Sequence, residues 1–504
     1  MNAINSSHKK KMNWRLILAA SLMAFGVVGM FFMEDATIIG ATSFAIYIFA
    51  IAALALFYRE SGVDPMKIFC ALTFIGFGIG YVIHLNNPEL FYFMHAGSYS
   101  PAFQYKSEYL STSFLIFLIG FGAYVAGSQI VLPLPLLRKT DSKINTYLMS
   151  GITLVLVIFT YWFRAEFKVG VPGVEEAAFP FVGYIYHPML ALVTLSLGYA
   201  FFCALRSGSV LAIAVSLMVV LIHAGSIALL GWKSAIFKDI LLLVLIYVNY
   251  STFISPITVR IRRFLLLSLF LGGVLAYVSF GAIGYYRASV VLTGEPMGLA
   301  EFFLKIPQYF EIYNELSEGT SNSGVVGFFV RISGINYLTP VVSYFSQYDI
   351  SSEVPSFILN ATRLSYYNPE NFLTDIIVGV PEALVTTNAP GAWGAFYIYG
   401  AEIGVFVGML ISGLIFQNSY RFFKKNSVRN PLMLVLYAVV IVDIYLAVVF
   451  EGTVVNYLFK NIPALLIAYV ILSLMIRYFY FSASKQLRVS MAMRTDRQNK
   501  VLNG

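Results

Sequence analysis

The chain has 504 residues and a net charge of +8, with 59% hydrophobic residues, only 12% charged residues and a mean hydropathy of +0.77. This charged fraction is about half that of an ordinary soluble domain, so the composition excludes a soluble globular protein and also a disordered one. The apolar residues come in runs of about 20, enough helix to cross a hydrocarbon core of about 30 Å, and such continuous runs exclude an outer-membrane barrel, whose strands alternate.

The apolar runs predict an all-α, polytopic membrane protein. We expect residues 1–283 to hold nine membrane helices, 284–390 to form one large outer segment, 391–481 to hold three more helices and 482–504 to form a basic tail. The first run is too long for the apolar part of a signal peptide, so we expect it to be retained. The twelve predicted spans are 14–32, 36–57, 68–85, 110–131, 147–163, 183–205, 210–230, 239–255, 264–283, 391–416, 431–450 and 462–481.

The basic residues predict the orientation. About two thirds of the 33 Lys and Arg residues fall in segments that share one side of the membrane with both termini. The positive-inside rule assigns that side to the cytoplasm, so the positive balance reflects membrane insertion and not nucleic-acid binding. Cys70 and Cys203 both sit inside apolar spans, and no metal cluster or cofactor motif is found.

The outer segment from Gly284 to Pro390 is crowded with aromatic residues, which argues against a solvated linker. Within it, Ala300 to Leu316 has the apolar spacing of an interfacial amphipathic helix. Val325 to Phe345 is apolar enough for a further crossing, but Arg331 interrupts it and an extra crossing would place the basic Arg421 to Arg429 segment outside. We therefore prefer a helix that lies in the interface or dips back into the membrane.

The outer face carries several cations that could bind a diphosphate. Arginine offers paired planar donors that match phosphate oxygens, whereas lysine acts as a point charge. The alternative for each is a structural ion pair or contact with lipid headgroups. Arg331 is set among apolar residues, where an ionised group is usually paired or functional. The candidate cations are Arg164, Lys233, Lys238, Arg287, Arg331 and Arg363.

Polar residues also interrupt the membrane spans. Gly231 to Asp239 is a polar notch that predicts either a plain hairpin turn or a lined cavity, with equal weight. Glu402 and Asp443 are intramembrane acids, which serve either as hydrogen-bonding anchors between helices or in proton coupling.

The Gly-rich stretch Ala389 to Gly400 begins the tenth span, and its small residues favour close helix packing. Trp393 and Tyr397 within it offer a second interpretation, an aromatic platform under a sugar.

These features resemble the bacterial oligosaccharide repeat-unit polymerases of the O-antigen polymerase (Wzy) type. The resemblance rests on the layout of about twelve spans with one long outer segment, on the Gly-Trp-Lys-Ser-Ala stretch at Gly231 to Ala235, and on the Gly-rich start of span ten. Arg287 with Gly298 also fits the Arg-x10-Gly spacing of the family. The same spacing from Arg331 and Arg363 reaches Val342 and Thr374, so those two elements depart from the pattern.

The resemblance implies a GT-C-like, metal-independent glycosyltransferase in the bacterial inner membrane. It would join undecaprenyl-diphosphate-linked oligosaccharides into an O-antigen, capsule or exopolysaccharide at the periplasmic face. Its partners would be that lipid-linked substrate, a chain-length regulator and a flippase of the same pathway. The implied roles are diphosphate binding by Arg287, Arg331 and Arg363 with help from Lys233 and Lys238, and general base catalysis by Glu382 or Asp375.

Three other functions remain open at this stage. A ligase that moves finished polymer from the same carrier to an acceptor has a similar layout. A flippase or secondary transporter for lipid-linked sugars is less favoured, since no internal repeat is evident. A scaffold protein of the envelope explains the hydrophobicity but not the outer arginines.

Overall fold

The computed structural model describes residues 13–32, 36–86, 107–137, 139, 145–167, 180–229, 234–274, 304–305, 307–308, 334–345, 391–451 and 461–479. Within these ranges all regular structure is helical. The helices are α1 Trp14–Met30, α2 Ala36–Phe57, α3 Pro65–Asn86, α4 Ser107–Gln129, α5 Thr146–Phe167, α6 Pro180–Ser207, α7 Val210–Ala228, α8 Ser234–Phe253, α9 259–274, α10 Gly334–Phe345, α11 Gly391–Ser427, α12 Leu432–Val449 and α13 Ile462–Phe479.

The predicted spans coincide with helices of this list. Among the described residues, 10 helices are long and apolar enough to cross a membrane. Helix α1 has only 17 residues, and α9 is described only as far as residue 274. The polytopic helical class is therefore confirmed, while the count of twelve and the outer segment stay predictions.

Helix α4 is the centre of the bundle, with nearly all of its surface buried against α1, α2, α10 and α11. Its contact with α11 depends on glycine. A methyl group added at Gly127 would overlap the carbonyl oxygen of Leu410, and one at Gly413 would overlap the carbonyl oxygen of Tyr124. The two backbones approach this closely because neither helix places a side chain between them, which is how small residues promote helix packing in membranes.

Helix α11 is broken, and this corrects the predicted continuous span 391–416. Gly400 and Ala401 have non-helical backbone angles, and Ala401 has a φ of 49°. The chain reverses there: the ring of Phe396 lies against Gly408 and its carbonyl oxygen against Gly404. Residues 391–399 thus form a short helix (α11a) folded back along the longer one, residues 402–427 (α11b). Glycine at 404 and 408 leaves the room that this fold-back needs.

Helix α10 is the described part of Val325 to Phe345, the segment apolar enough for a further crossing. Its 12 described residues cover roughly 18 Å. Ile335, Leu338, Val341 and Val342 are almost completely buried, and α10 packs against α4, α3 and α11. The described residues of α10 therefore lie inside the protein, while a helix that lies in the interface or dips back into the membrane stays a prediction.

The loop between α2 and α3, residues 58–64, is held by hydrogen bonds from four different helices. Tyr420 donates to the carbonyl of Ser61, and Tyr437 donates to the carbonyl of Val63 at 2.8 Å. Asn249 accepts from the N–H of Val63 at 3.2 Å, and Lys67 donates to the carbonyls of Glu60 and Gly62. These bonds satisfy backbone groups of the loop, and they tie α3, α8, α11 and α12 together at one end.

At the same end, the extended segment 130–137 runs along α11. Asn418 accepts from the N–H of Leu132 at 3.0 Å, and Asn426 accepts from the N–H of Leu137 at 2.7 Å. Arg421 donates to the carbonyls of Ser128 and Ile130. Arg421 belongs to the basic residues that predict the orientation, and it also hydrogen-bonds the backbone at Ser128 and Ile130.

We predict that Gly127→Ala destabilises the protein by about 1–3 kcal/mol, the usual effect of overpacking, because the new methyl group meets the rigid backbone of α11. Thermal unfolding of the detergent-solubilised protein measures this. Gly151→Ala is the matched control, since nothing lies within 4 Å of a methyl group at that helical position. An equal melting temperature for the two variants would contradict the close α4–α11 contact.

A second prediction concerns Asp64, which is fully buried and accepts from the N–H of Lys67 at 2.9 Å. Burial raises the pKa of its carboxyl above the ordinary value. Its contribution to stability is therefore complete below its unfolded-state pKa and is lost as the pH rises through the raised folded-state pKa.

Asp64→Asn keeps the oxygen that caps α3 but carries no charge. We expect this variant to be more stable than the wild type at pH 7.5, with a difference that shrinks as the pH approaches 4. Melting temperatures across that pH range test it, and a less stable variant at pH 7.5 would contradict the prediction.

Candidate functional site

Helix α5 carries a buried arginine, Arg164, about one turn before its end. Arg164 is only 2% exposed, and its guanidinium carbon is 5.4 Å from the ring centroid of Tyr186 on α6. Phe163 and Met189 pack beside them. A desolvated cation over an aromatic face gains up to about 2 kcal/mol, so the tyrosine ring helps to hold a charge that is costly in apolar surroundings.

A histidine–aspartate pair joins α7 to α8. Nδ1 of His223 lies 2.8 Å from Oδ2 of Asp239, and both side chains are about 7% exposed. An ionised Asp239 accepts from Nδ1–H, which leaves Nε2 of a neutral imidazole as the proton acceptor. In the described ranges, no hydrogen bond reaches that second nitrogen.

These four side chains occupy one end of the α5–α8 group. Each lies within about 9 Å of the end where α5 and α7 finish and α6 and α8 begin, at 1.5 Å per helical residue. Helix α5 packs on α6 and α7, and α8 packs on α6 and α7. We call Arg164, Tyr186, His223 and Asp239 the polar cluster.

The described part of the polar notch predicted at Gly231 to Asp239 is helical. Helix α8 begins at Ser234, so Lys238 and Asp239 lie on its second turn. Lys238 is half-buried and precedes Asp239 of the polar cluster in the sequence. The structure thus brings the predicted residues Arg164 and Lys238 to the same end of the same helix group.

Two further predicted binding residues lie in α11a. Trp393 is 1% exposed, donates from Nε1 to the carbonyl of Phe117 at 3.2 Å, and stacks among Phe69, Phe77 and Phe117. Its ring faces are occupied, so close packing, the first of the two interpretations of this stretch, describes its environment.

Tyr397 is 8% exposed and donates to Oε1 of Glu402 at 3.3 Å across the chain reversal, with Phe345 of α10 edge-on to its ring. Glu402 opens α11b, where the helix N-terminus favours a carboxylate. This hydrogen bond fits the anchoring role of Glu402. Asp443 is half-buried in a π-helical stretch of α12.

The other predicted site residues lie outside the described residues. They are Lys233, Arg287, Gly298, Arg331, Arg363, Asp375 and Glu382. The predicted amphipathic helix at Ala300 to Leu316 is described only at residues 304–305 and 307–308, which are helical.

Comparison with known proteins finds no similar family, sequence or fold. No protein-family model, no curated protein and no solved structure matches this chain.

Sequence reasoning missed His223. The signal was present, because His223 stands eight residues before Gly231 and Asp239 stands eight residues after it. Two antiparallel helices joined near Gly231 place such symmetric positions at the same depth. The pairing was overlooked because the histidine lies in a strongly apolar span.

The polar cluster combines a cation with a proton acceptor. Arg164 offers guanidinium donors suited to phosphate oxygens. His223, oriented by Asp239, has the arrangement of a general base whose second nitrogen receives a proton, as in hydrolase triads. This end of the helices therefore offers donors for an anionic group and an acceptor for the proton of a hydroxyl.

We predict that His223 and Asp239 are energetically coupled. Asp239→Leu leaves a buried imidazole without its partner and should cost about 1.5–3 kcal/mol, whereas His223→Leu with Asp239→Leu removes both polar groups and should cost less than the sum of the single changes. A double-mutant cycle on thermal stability measures the coupling. Strict additivity would contradict the observed hydrogen bond.

Proposed function

We propose that this chain is a membrane-embedded glycosyltransferase that polymerises oligosaccharide repeat units carried on undecaprenyl diphosphate. The observation that carries the proposal is the polar cluster, a buried arginine and a His–Asp pair gathered at one end of four apolar helices. Ionisable groups at membrane depth usually mark a substrate or ion pathway.

The chemistry of the proposed reaction matches these groups. The hydroxyl oxygen of the acceptor sugar attacks the anomeric carbon of the donor, the bond from that carbon to the diphosphate oxygen breaks, and the electron pair leaves with the lipid diphosphate. The hydroxyl proton must go to a base. Negative charge that grows on the diphosphate must be stabilised by preorganised donors.

Within the described residues, Arg164 and Lys238 are the donors at the polar end, and His223 is the base, with Asp239 as its positioning residue. The sequence-derived assignments of Arg287, Arg331 and Arg363 to the diphosphate, and of Glu382 or Asp375 to the base, remain predictions. These sequence-derived assignments are compatible with the polar cluster if the outer segment covers the end of α5–α8 that carries it. The proposal accordingly places the reaction at the end opposite the 58–64 loop.

The orientation predicted by the positive-inside rule supports a periplasmic position for the polar cluster. The 58–64 loop shares its end of the bundle with Arg421, Lys424, Lys425 and Arg429, and the positive-inside rule predicts a cytoplasmic position for that end. The polar cluster then faces the periplasm, where activated nucleotide sugars are absent and lipid-linked sugars are the available donors.

A proton-coupled transporter of lipid-linked sugars is the second candidate. It is favoured by one observation, the reversal of α11 at Gly400–Ala401 beside a carboxylate, because transporters often bind their substrates where a membrane helix is interrupted. In that case His223 and Asp239 would carry the coupled proton.

We predict that Arg164→Gln abolishes long polymer, a loss of at least about 100-fold, since a donor that stabilises transition-state charge is removed. The test is a polysaccharide gel from a deletion strain complemented with each variant, with membrane abundance checked by blot. Arg206→Gln, an exposed arginine at the opposite end of α6, is the matched control and should leave the ladder unchanged. Arg164→Lys, which keeps the charge, should restore folding and part of the activity.

The same gel separates the candidate functions. A deletion that leaves acceptors with a single repeat unit supports a polymerase. Bare acceptors with long carrier-linked chains indicate a ligase, and unflipped repeat units indicate the transporter. Normal long chains from an abundant Arg164→Gln variant would remove Arg164 from the mechanism.

A further inference from the structure

A groove lies between α2 and α3 at the end of the bundle that carries the 58–64 loop. Its volume is about 390 Å³, within the range of small-molecule sites. The walls are mostly apolar: Ile51, Leu54 and Ala55 come from α2, and Met66, Cys70 and Phe74 come from α3. The 58–64 loop, which is held by hydrogen bonds from four helices, joins α2 and α3 at this end.

The groove opens on the lipid-facing surface. Phe74 in its wall is 40% exposed, and the neighbouring α2 side chains Phe49, Leu56 and Phe57 are 64–71% exposed. In a helix that crosses a bilayer, such large apolar side chains face acyl chains. An apolar groove in that surface suits an acyl chain.

A lysine ammonium closes the loop end of the groove. Lys67 lines the cavity, is half-buried, and donates from Nζ to the carbonyls of Glu60 at 2.5 Å and Gly62 at 2.7 Å. An ammonium has three N–H donors, so these two bonds fix its position and leave a donor directed elsewhere.

The charge around this end is positive. Glu60 is neutralised by Lys424, whose Nζ lies 3.1 Å from Oε2 of Glu60. Arg15 stacks over the ring of Tyr58, a groove residue, at 4.5 Å from its centroid, and Arg59 is exposed on the loop. Asp64, the last residue of the loop, is fully buried and does not line the groove. An anionic headgroup is thus complementary to the groove's polar end.

We propose that the α2–α3 groove binds one anionic phospholipid, with an acyl chain between the helices and its phosphate against Lys67. The phosphate lies at the level of the 58–64 loop, whose hydrogen bonds join four helices, so the lipid occupies the structural junction of the bundle. This inference does not depend on the proposed glycosyl transfer.

Native mass spectrometry tests the site directly. The full-length protein is purified in detergent containing equal amounts of phosphatidylglycerol and phosphatidylcholine, and the lipids that remain bound are counted. We expect the wild type to retain one phosphatidylglycerol in preference to phosphatidylcholine. Ala55→Trp fills the groove and should lose that lipid. Ala52→Trp, the same substitution at an exposed α2 position outside the groove, should retain it.

The headgroup contact has its own variants. Lys67→Gln can still donate to the loop carbonyls but lacks the charge, and should lower the preference for phosphatidylglycerol about five-fold. Lys67→Arg should keep most of the preference. Equal retention of the two lipids by the wild type, or unchanged lipid binding in a folded Ala55→Trp variant, would overturn the proposal.

Discussion

The structure depends on one constraint: a bilayer core supplies no water, so every polar group placed there must find its partner within the protein. The central helix α4 meets the constraint by close backbone packing, since Gly127 and Gly413 allow α4 and α11 to touch without intervening side chains. The broken α11 meets it differently. At its reversal at Gly400–Ala401, the hydroxyl of Tyr397 donates to the carboxylate of Glu402 across the break.

The two ends of the bundle use polar residues for different purposes. At the end with the 58–64 loop, tyrosines, asparagines and basic side chains bind backbone carbonyls and N–H groups, which fixes the positions of the helices. At the other end, the polar cluster consists of side chains that bind one another, a cation over a ring and a histidine beside a carboxylate. Within the described residues no hydrogen bond reaches Nε2 of His223, which is why we propose chemistry at that end and structure at the other.

Sequence reasoning predicted some parts of this arrangement well. Apolar runs located the membrane helices because hydrophobic length is a local property, and the Gly-rich stretch correctly suggested close packing around Trp393. The fold-back of residues 391–399 was wrongly predicted as a straight span, since a hydropathy pattern does not reveal a change of chain direction. His223 was overlooked for a related reason: its significance depends on Asp239, which is distant in sequence and adjacent only across two helices.

By itself, the sequence determined that the chain is a polytopic helical membrane protein, because the free energy of apolar burial in a bilayer is summed over each local run of residues. It also placed Arg164 and Lys238 among the candidate site residues, through the rarity of charge near membrane spans. Only the tertiary structure decided which polar groups meet, where α11 reverses and where a groove opens between α2 and α3. Those features arise from contacts between helices far apart in the chain, and their geometry is set by packing that no local pattern encodes.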